Sequence, residues 1–212
     1  MIQMYKSIIF DIDGTLLDTE KAILLSLQQV LKEEGLSYEL DDLKFSLGIP
    51  GKEALKQLPV TNVDNMDKKW SQAVLEYADE VGLFSGIEEI IELLADKQIQ
   101  MGIVTSKTRD EFKREFQPFG LNTYFQYIVC ADDTVKHKPE PEPLLACLEG
   151  LGIPSSSALY IGDSIYDMHC AYKAGVHFAL ALWGAKTTEG YDLAEYVLKK
   201  PQDIAVLAGL KL

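Results

Sequence analysis

The chain has 212 residues, which suits one medium domain or a core domain with a smaller insertion. Hydrophobic residues make up 47% of it, ample for a packed interior, and no stretch approaches the roughly 18 consecutive apolar residues of a membrane span. With 33 acidic against 20 basic residues the net charge is −13 and no basic stripe is visible, so nucleic acid is disfavoured as a partner and an anionic substrate needs local cations.

The three cysteines, Cys130, Cys147 and Cys170, are too widely spaced for a zinc pattern and odd in number, so buried thiols in a reducing compartment are expected. Strand-like sequence is reached by residue 5, which leaves no room for a signal peptide. The expectation is a cytoplasmic protein without membrane attachment, monomeric or weakly homodimeric.

In chain order, residues 5–10 read as the first strand. Residues 20–34 form an amphipathic helix with Ala22, Leu24, Leu25, Leu27, Val30 and Leu31 on its apolar face. Thr19 is a candidate N-cap without a full capping box, and Gly35 is placed to end the helix. Helical pattern continues to about Gly82 over 40–47, 52–57 and 64–81, with breaks at Gly48-Ile49-Pro50-Gly51 and near Pro59. About sixty residues of helix without a strand read as an inserted domain. Alternation then begins, with helices over 86–97, 109–119, 141–151 and 164–174. The intervening strands fall at 101–105, 127–131, 158–161 and 176–181. A last strand near 196–198 and a helix after Pro201 complete the chain. Short β-rich runs alternating with helices predict an α/β fold, a parallel sheet covered on both faces.

Chemistry-bearing residues gather at the predicted strand ends. Asp11 and Asp13 follow the first strand in Asp11-Ile12-Asp13-Gly14-Thr15. Crowded carboxylates suit a hard divalent cation, most simply Mg²⁺. Asp11 could attack phosphorus to form an aspartyl-phosphate, and Asp13 could protonate the leaving group and later activate water. Thr105 ends the apolar run Gly102-Ile103-Val104, with Ser106 next, and a hydroxyl there could bind a phosphoryl oxygen. Lys138 lies in Lys138-Pro139-Glu140-Pro141, where the prolines fix the backbone and the ammonium could pair with phosphate. Asp163 closes Tyr160-Ile161-Gly162-Asp163, and Asp167 follows one helical turn later. That spacing allows a direct metal ligand and a supporting carboxylate. Taken singly, each has an ordinary alternative as a surface turn, an N-cap or a solvated lysine. Taken together at one sheet edge, they supply every part that an in-line displacement at phosphorus requires.

These motifs resemble those of the haloacid dehalogenase superfamily, in its subgroup with a small helical cap. The match runs through Asp11-Ile12-Asp13-Gly14-Thr15-Leu16, Thr105, Lys138-Pro139 and Gly162-Asp163-Ser164 with Asp167. The resemblance implies a Rossmann-like parallel core of order 5-4-1-2-3 over residues 1–16 and 83–212, with a helical cap over 17–82. It implies a Mg²⁺-dependent phosphoric monoester hydrolase that acts on a small phosphate ester through an aspartyl-phosphate. Asp11 is then the nucleophile and Asp13 the acid/base, with Thr105 and Lys138 completing the catalytic set. Asp11, Asp13 (through its carbonyl) and Asp163 hold Mg²⁺, supported by Asp167. Thr105, Ser106, Lys138 and Lys52, in the cap loop Gly48-Ile49-Pro50-Gly51-Lys52, contact substrate.

The context after the first motif and Val104-Thr105-Ser106-Lys107 look most like phosphoglycolate phosphatases and the related pyrophosphatases. Beta-phosphoglucomutases share the aspartate pair, but their cap loop carries an arginine after a serine where this chain has Gly51-Lys52. A catalytically silent binding protein is the remaining alternative. His137, His169 and His177 form no metal cluster by spacing, and Trp183 reads as core. Lys107 reads as a flexible lysine near the site, and Gly82 and Gly86 as a hinge between cap and core.

Overall fold

The computed structural model describes residues 4–210. Six strands form one parallel sheet: β1 (Ser7–Phe10), β4 (Gln100–Val104), β5 (Tyr127–Val129), β6 (Ala158–Gly162), β7 (His177–Ala181) and β8 (Tyr196–Leu198). Their order is β5-β4-β1-β6-β7-β8. Among the strands foreseen for the core this is the expected 5-4-1-2-3, with β8 added outside β7. β1 is central, and its four residues are all buried because helices cover both faces. Alternate residues serve opposite sides. Ile8, Phe10, Met101, Ile103, Leu159 and Ile161 pack with helix α4 (Ile87–Asp96) and the short last helix Ile204–Leu207. Ile9, Val104, Tyr160 and Phe178 pack with α6 (Glu142–Leu151) and α7 (Ile165–Ala174).

The register decides where the chemistry falls. Phe10 lies opposite Ile103 on β4 and Ile161 on β6. The three central strands therefore end level, and Asp11, Thr105 and Asp163 leave from one edge. The strand order reverses at β1, which makes this edge the topological switch point where ligands bind in open α/β sheets.

The helical insertion follows β1. It comprises α1 (Glu20–Glu33), a 3₁₀ segment at Leu40–Ser46, α2 (Gly51–Leu55), α3 (Val63–Ala73) and a second 3₁₀ segment at Val74–Glu80. It has its own apolar cluster, with Leu27, Leu31, Leu43, Leu55 and Trp70 buried together. Trp70 Nε1 donates to Ser26 Oγ at 3.0 Å, satisfying the one polar atom of that ring. Gly35 ends α1 in a left-handed conformation (φ +79°), as its position predicts.

Three local features depart from expectation. The predicted helix 109–119 is α5 (Arg109–Glu115) followed by a 3₁₀ turn at Gln117–Phe119, because Pro118 lacks the N–H that would continue the helix. The predicted helix 64–81 changes to 3₁₀ after Ala73 and carries a non-helical residue at Tyr77 (φ −106°). Two two-residue strands, β2 (Leu17–Asp18) and β3 (Gly82–Leu83), pair antiparallel where the insertion leaves and rejoins the core. They are too short for any periodicity to reveal. The Leu17–Leu83 pairing brings both connections together, so the insertion stands on one narrow neck.

Leu27 has no solvent exposure, in the middle of the insertion's core. Leu27→Ala should lower the unfolding free energy by about 3 kcal/mol, as cavity-forming substitutions do. Urea denaturation followed by tryptophan fluorescence would report it, since Trp70 shares that core.

Candidate active site

The site is built on the turn after β1. Leu16 and Leu17 donate their amides to Ile12 O, and Gly14 N donates to Leu17 O at 2.8 Å. This tight turn separates the two carboxylates, which a continued strand would have kept on one face. Gly14 has φ +76°, and a Cβ there would lie 2.0 Å from Asp163 Oδ2. Only glycine lets Asp163 approach the turn. Gly184 allows the same closeness from the other side, where a Cβ would meet Gly14 O at 1.7 Å.

Asp11 is 2% exposed. Lys138 Nζ donates to Asp11 Oδ1 at 2.9 Å and to Asp167 Oδ1 at 2.7 Å, so one ammonium bridges two buried carboxylates. Asp167 is saturated with donors. Tyr160 OH joins Lys138 on Oδ1 at 2.8 Å, and Ser164 N and Oγ donate to Oδ2 at 3.1 and 2.5 Å. Asp167 N returns a bond to Ser164 Oγ, forming the capping box that starts α7. Asp11 Oδ2, by contrast, is buried and has no hydrogen-bond partner. A buried carboxylate oxygen left unpaired is costly unless a ligand completes it.

Ligand oxygens of Asp11, Asp163 and Asp167 lie within 4.8 Å of one another. Three acidic side chains with one orphaned oxygen and no sulfur or imidazole donor fit a hard cation such as Mg²⁺. Burial pushes the Asp11 carboxyl up to about 7, against the opposing pull of Lys138, with Asp167 and Asp13 adding to the rise. Burial, then Asp167 and Asp11, hold Asp163 well above the usual carboxylate range. Burial opposes the charge on Lys138, but Asp11 and Asp167 outweigh it and hold its pKa above that of a free lysine.

The second aspartate faces another lysine. Asp13 Oδ1 lies 3.0 Å from Lys107 Nζ, and the same ammonium lies 2.6 Å from Glu115 Oε2. Lys107 is 8% exposed and fixed by both ion pairs, not a free surface lysine. Its sequence position carried no sign of this, because Glu115 is brought in by the second turn of α5. Thr105 is buried, and its Oγ1 accepts from Lys107 N at 3.2 Å, which orients the loop after β4. Ser106 Oγ donates to Gly48 O at 3.0 Å, tying that loop to the insertion. Asp11, Asp13, Thr105, Ser106, Lys138, Asp163 and Asp167 thus come to one sheet edge. Lys52 does not join them: it is half exposed and its Nζ pairs with Asp64 at 2.6 Å.

A cavity of about 80 Å³ for water-sized groups lies between core and insertion. Its floor includes Asp11, Asp13, Ser106 and Lys107, and Gly48 and Trp70 contribute its roof. Tyr160 and Glu115 belong to the site but were not legible as site residues, since each acts through a partner distant in sequence.

Comparison with known proteins agrees with this geometry. The chain belongs to the haloacid dehalogenase-like hydrolase family, whose profile matches residues 8–181. It is similar to pyrophosphatase PpaX of Bacillus velezensis, 32% identical over 211 residues that cover 97% of each chain. It is also similar to a phosphoglycolate phosphatase of Aquifex aeolicus, 31% identical over 94% of this chain and 95% of the other. A solved structure from Lactobacillus plantarum superposes with a TM-score of 0.89 at 29% identity, covering 97% of this chain and all (100%) of that one. No helix among the described residues is long and apolar enough to cross a membrane.

The acidic cluster makes metal binding proton-linked. In the metal-free protein, the raised Asp11 pKa favours the folded state below its ordinary value near 3.8, and that contribution is lost as pH rises through about 7. Metal binding requires the ionised form. The rise in Tm produced by Mg²⁺ should therefore be small at pH 5 and grow through pH 7 to 8, and Asp163→Asn should remove most of it. A Mg²⁺ shift equal at both ends of this range would contradict the assignment.

Proposed function

We propose that this Mg²⁺-dependent phosphatase hydrolyses a small phosphate ester through an aspartyl-phosphate on Asp11. The observation that carries the reading is the division of labour on Asp11. Lys138 holds Oδ1, and Oδ2 is left unpartnered at the cavity floor. Asp11 and Asp163, with the carbonyl of Asp13, would hold the cation, and Asp167 would support them through the ammonium that it shares with Asp11. When bound, Mg²⁺ supplies positive charge that offsets the phosphoryl oxygens.

Asp11 Oδ2 attacks phosphorus, and the bond from phosphorus to the leaving oxygen breaks. Asp13 gives that oxygen a proton. Asp13 then takes a proton from water, whose oxygen displaces Asp11 from phosphorus. Inorganic phosphate departs, Asp11 is again a carboxylate, and Asp13 is again the protonated acid with which the cycle began. Lys138 and the hydroxyls of Thr105 and Ser106 are placed to receive transferring oxygens.

Residues 17–82 act as the cap in this reading. The paired β2 and β3 support it, since motion confined to one neck would move the whole helical unit. Ser106 Oγ on Gly48 O and Arg114 Nη2 on Ser71 Oγ at 2.6 Å hold it against the core. Pyrophosphate and phosphoglycolate are candidate substrates because relatives above 30% identity carry those names. The cytoplasm is the proposed location, supported by three buried free thiols.

Phosphate release from a panel of small phosphate esters, measured with Mg²⁺ and with EDTA, tests the reading. Release should require Mg²⁺. Asp11→Asn should abolish turnover with an unchanged circular dichroism spectrum, and Asp13→Asn should slow it by about 100-fold or more. Near-wild-type turnover in Asp11→Asn would refute the nucleophile.

A further inference from the structure

The cavity above Asp11 carries a charge that phosphoryl transfer does not itself demand. Beyond the reacting edge it is lined by Asp67, Trp70 and Ser71 of the insertion and by Glu111 and Glu115 of α5. It opens onto Asp11, 2% exposed, whose Oδ2 is unpartnered, so it is continuous with the reacting atom. Among the described residues, Lys107 is the one basic side chain in its lining, and it is already paired with Asp13 and Glu115. Arg114 lies outside the lining, bonds Ser71 and pairs with Glu115 Oε1 at 3.9 Å, while Lys52 pairs with Asp64. Glu115 is thus met by two cations and Glu111 Oε2 by Thr108 N and Oγ1, which leaves Asp67 as the uncommitted carboxylate of the three.

Asp67 is the distinctive member. It is half-buried, and its carboxylate has no hydrogen bond or ion pair among the described residues. Burial raises its pKa, and Glu111 raises it further, with Lys52 pulling weakly the other way. Gly51 keeps room for it: a Cβ there would lie 2.7 Å from Asp67 Oδ1 and 3.4 Å from the Trp70 ring. An acid, a second acid and an aromatic ring thus line the same cavity as Asp11. A carboxylate or second phosphate placed there would face like charge. An ammonium would supply donors and charge to both acids and lie against the indole.

Building on the phosphatase reading, we propose that the leaving group carries an ammonium: the preferred substrate is a small phosphomonoester of an amino alcohol, its amine received by Asp67 with Glu111 and Trp70. A second cavity, whose lining lacks Asp11, contains Lys44 and Lys186 together with Asp13, Asp18, Glu20 and Asp163. Its lysines pair with Asp41 and Glu20, so among the described residues it holds no free cation for an anionic leaving group.

The experiment uses the full chain with Mg²⁺ and compares kcat/KM for phosphoethanolamine, ethyl phosphate and phosphoglycolate, which are similar in size and differ in leaving-group charge. Inorganic pyrophosphate and p-nitrophenyl phosphate are included. Phosphoethanolamine should exceed ethyl phosphate and phosphoglycolate by about 10-fold or more, the scale of one charge-assisted hydrogen bond. Asp67→Asn should lower the phosphoethanolamine to ethyl phosphate ratio by about 10-fold on the same basis, and Asp67→Lys should move preference toward phosphoglycolate. The proposal is overturned by a preference for phosphoglycolate or pyrophosphate, by equal use of the charged and neutral esters, or by a ratio unchanged in Asp67→Asn. Cleavage of p-nitrophenyl phosphate without amine preference removes this inference alone. Absence of Mg²⁺-dependent release from every compound removes the phosphatase reading with it.

Discussion

The site depends on one buried ammonium. Lys138 stands between Asp11 and Asp167, all three almost wholly removed from water. Isolated charges at such depth would be expelled or neutralised, so each member requires the others. The ammonium fixes one oxygen of Asp11 and leaves the other bare. It also ties Asp11 to the start of α7 through Asp167, whose carboxylate caps that helix and receives Tyr160 from β6. One interaction therefore joins the ends of β1 and β6 to the loop before α6. In the proposed reaction, a cation and a phosphoryl group would complete the orphaned oxygen.

A second ion-paired set lies above the first. Lys107 connects Asp13 to Glu115, so the two aspartates of one turn face two different lysines. This separates their chemistry physically. Asp11 is held from within the core, whereas Asp13 is held from the side on which α5 meets the insertion. The roof is made of small contacts, a hydroxyl on Gly48 and a guanidinium on Ser71, between units that each have their own apolar core. Such polar contacts are easier to exchange than buried apolar surface, as a cover that admits substrate must be. The acidic lining of the chamber then bears on what enters. In a protein of net charge −13, local cations are scarce, and those near the site are already paired.

Much of the architecture was readable because it rests on periodicity. The apolar runs at Ile8-Ile9-Phe10 and Leu159-Tyr160-Ile161 marked central strands, and the stripe from Ala22 to Leu31 marked α1. The long strandless interval marked the insertion. Asp11, Asp13, Thr105, Lys138 and Asp163 stood out because each interrupts or ends such a run with a chemically costly residue. Lys107 and Glu115 did not, since a lysine and a glutamate eight residues apart look like ordinary surface charges until α5 turns one toward the other. Asp67 likewise lies on a helix whose exposed face is rich in charge, and only the approach of Gly51 and Glu111 distinguishes it. The pairing of β2 with β3 was invisible because two residues carry no period.

By itself, the sequence determined which segments are strands and helices, that the sheet is parallel, and which carboxylates, hydroxyl and lysine meet at its edge. Those properties follow from local pattern and from the rule that parallel strands deliver their carboxyl ends to one side. Tertiary structure decided which oxygen of Asp11 is held and which is free, which lysine neutralises which aspartate, and which charged side chains line the cavity above them. These depend on distances between residues tens to more than a hundred positions apart, such as Lys138 Nζ at 2.9 Å from Asp11 Oδ1. Electrostatic energy in a buried site varies steeply with such distances and with the exclusion of water, and neither is encoded in the order of residues until the chain is packed.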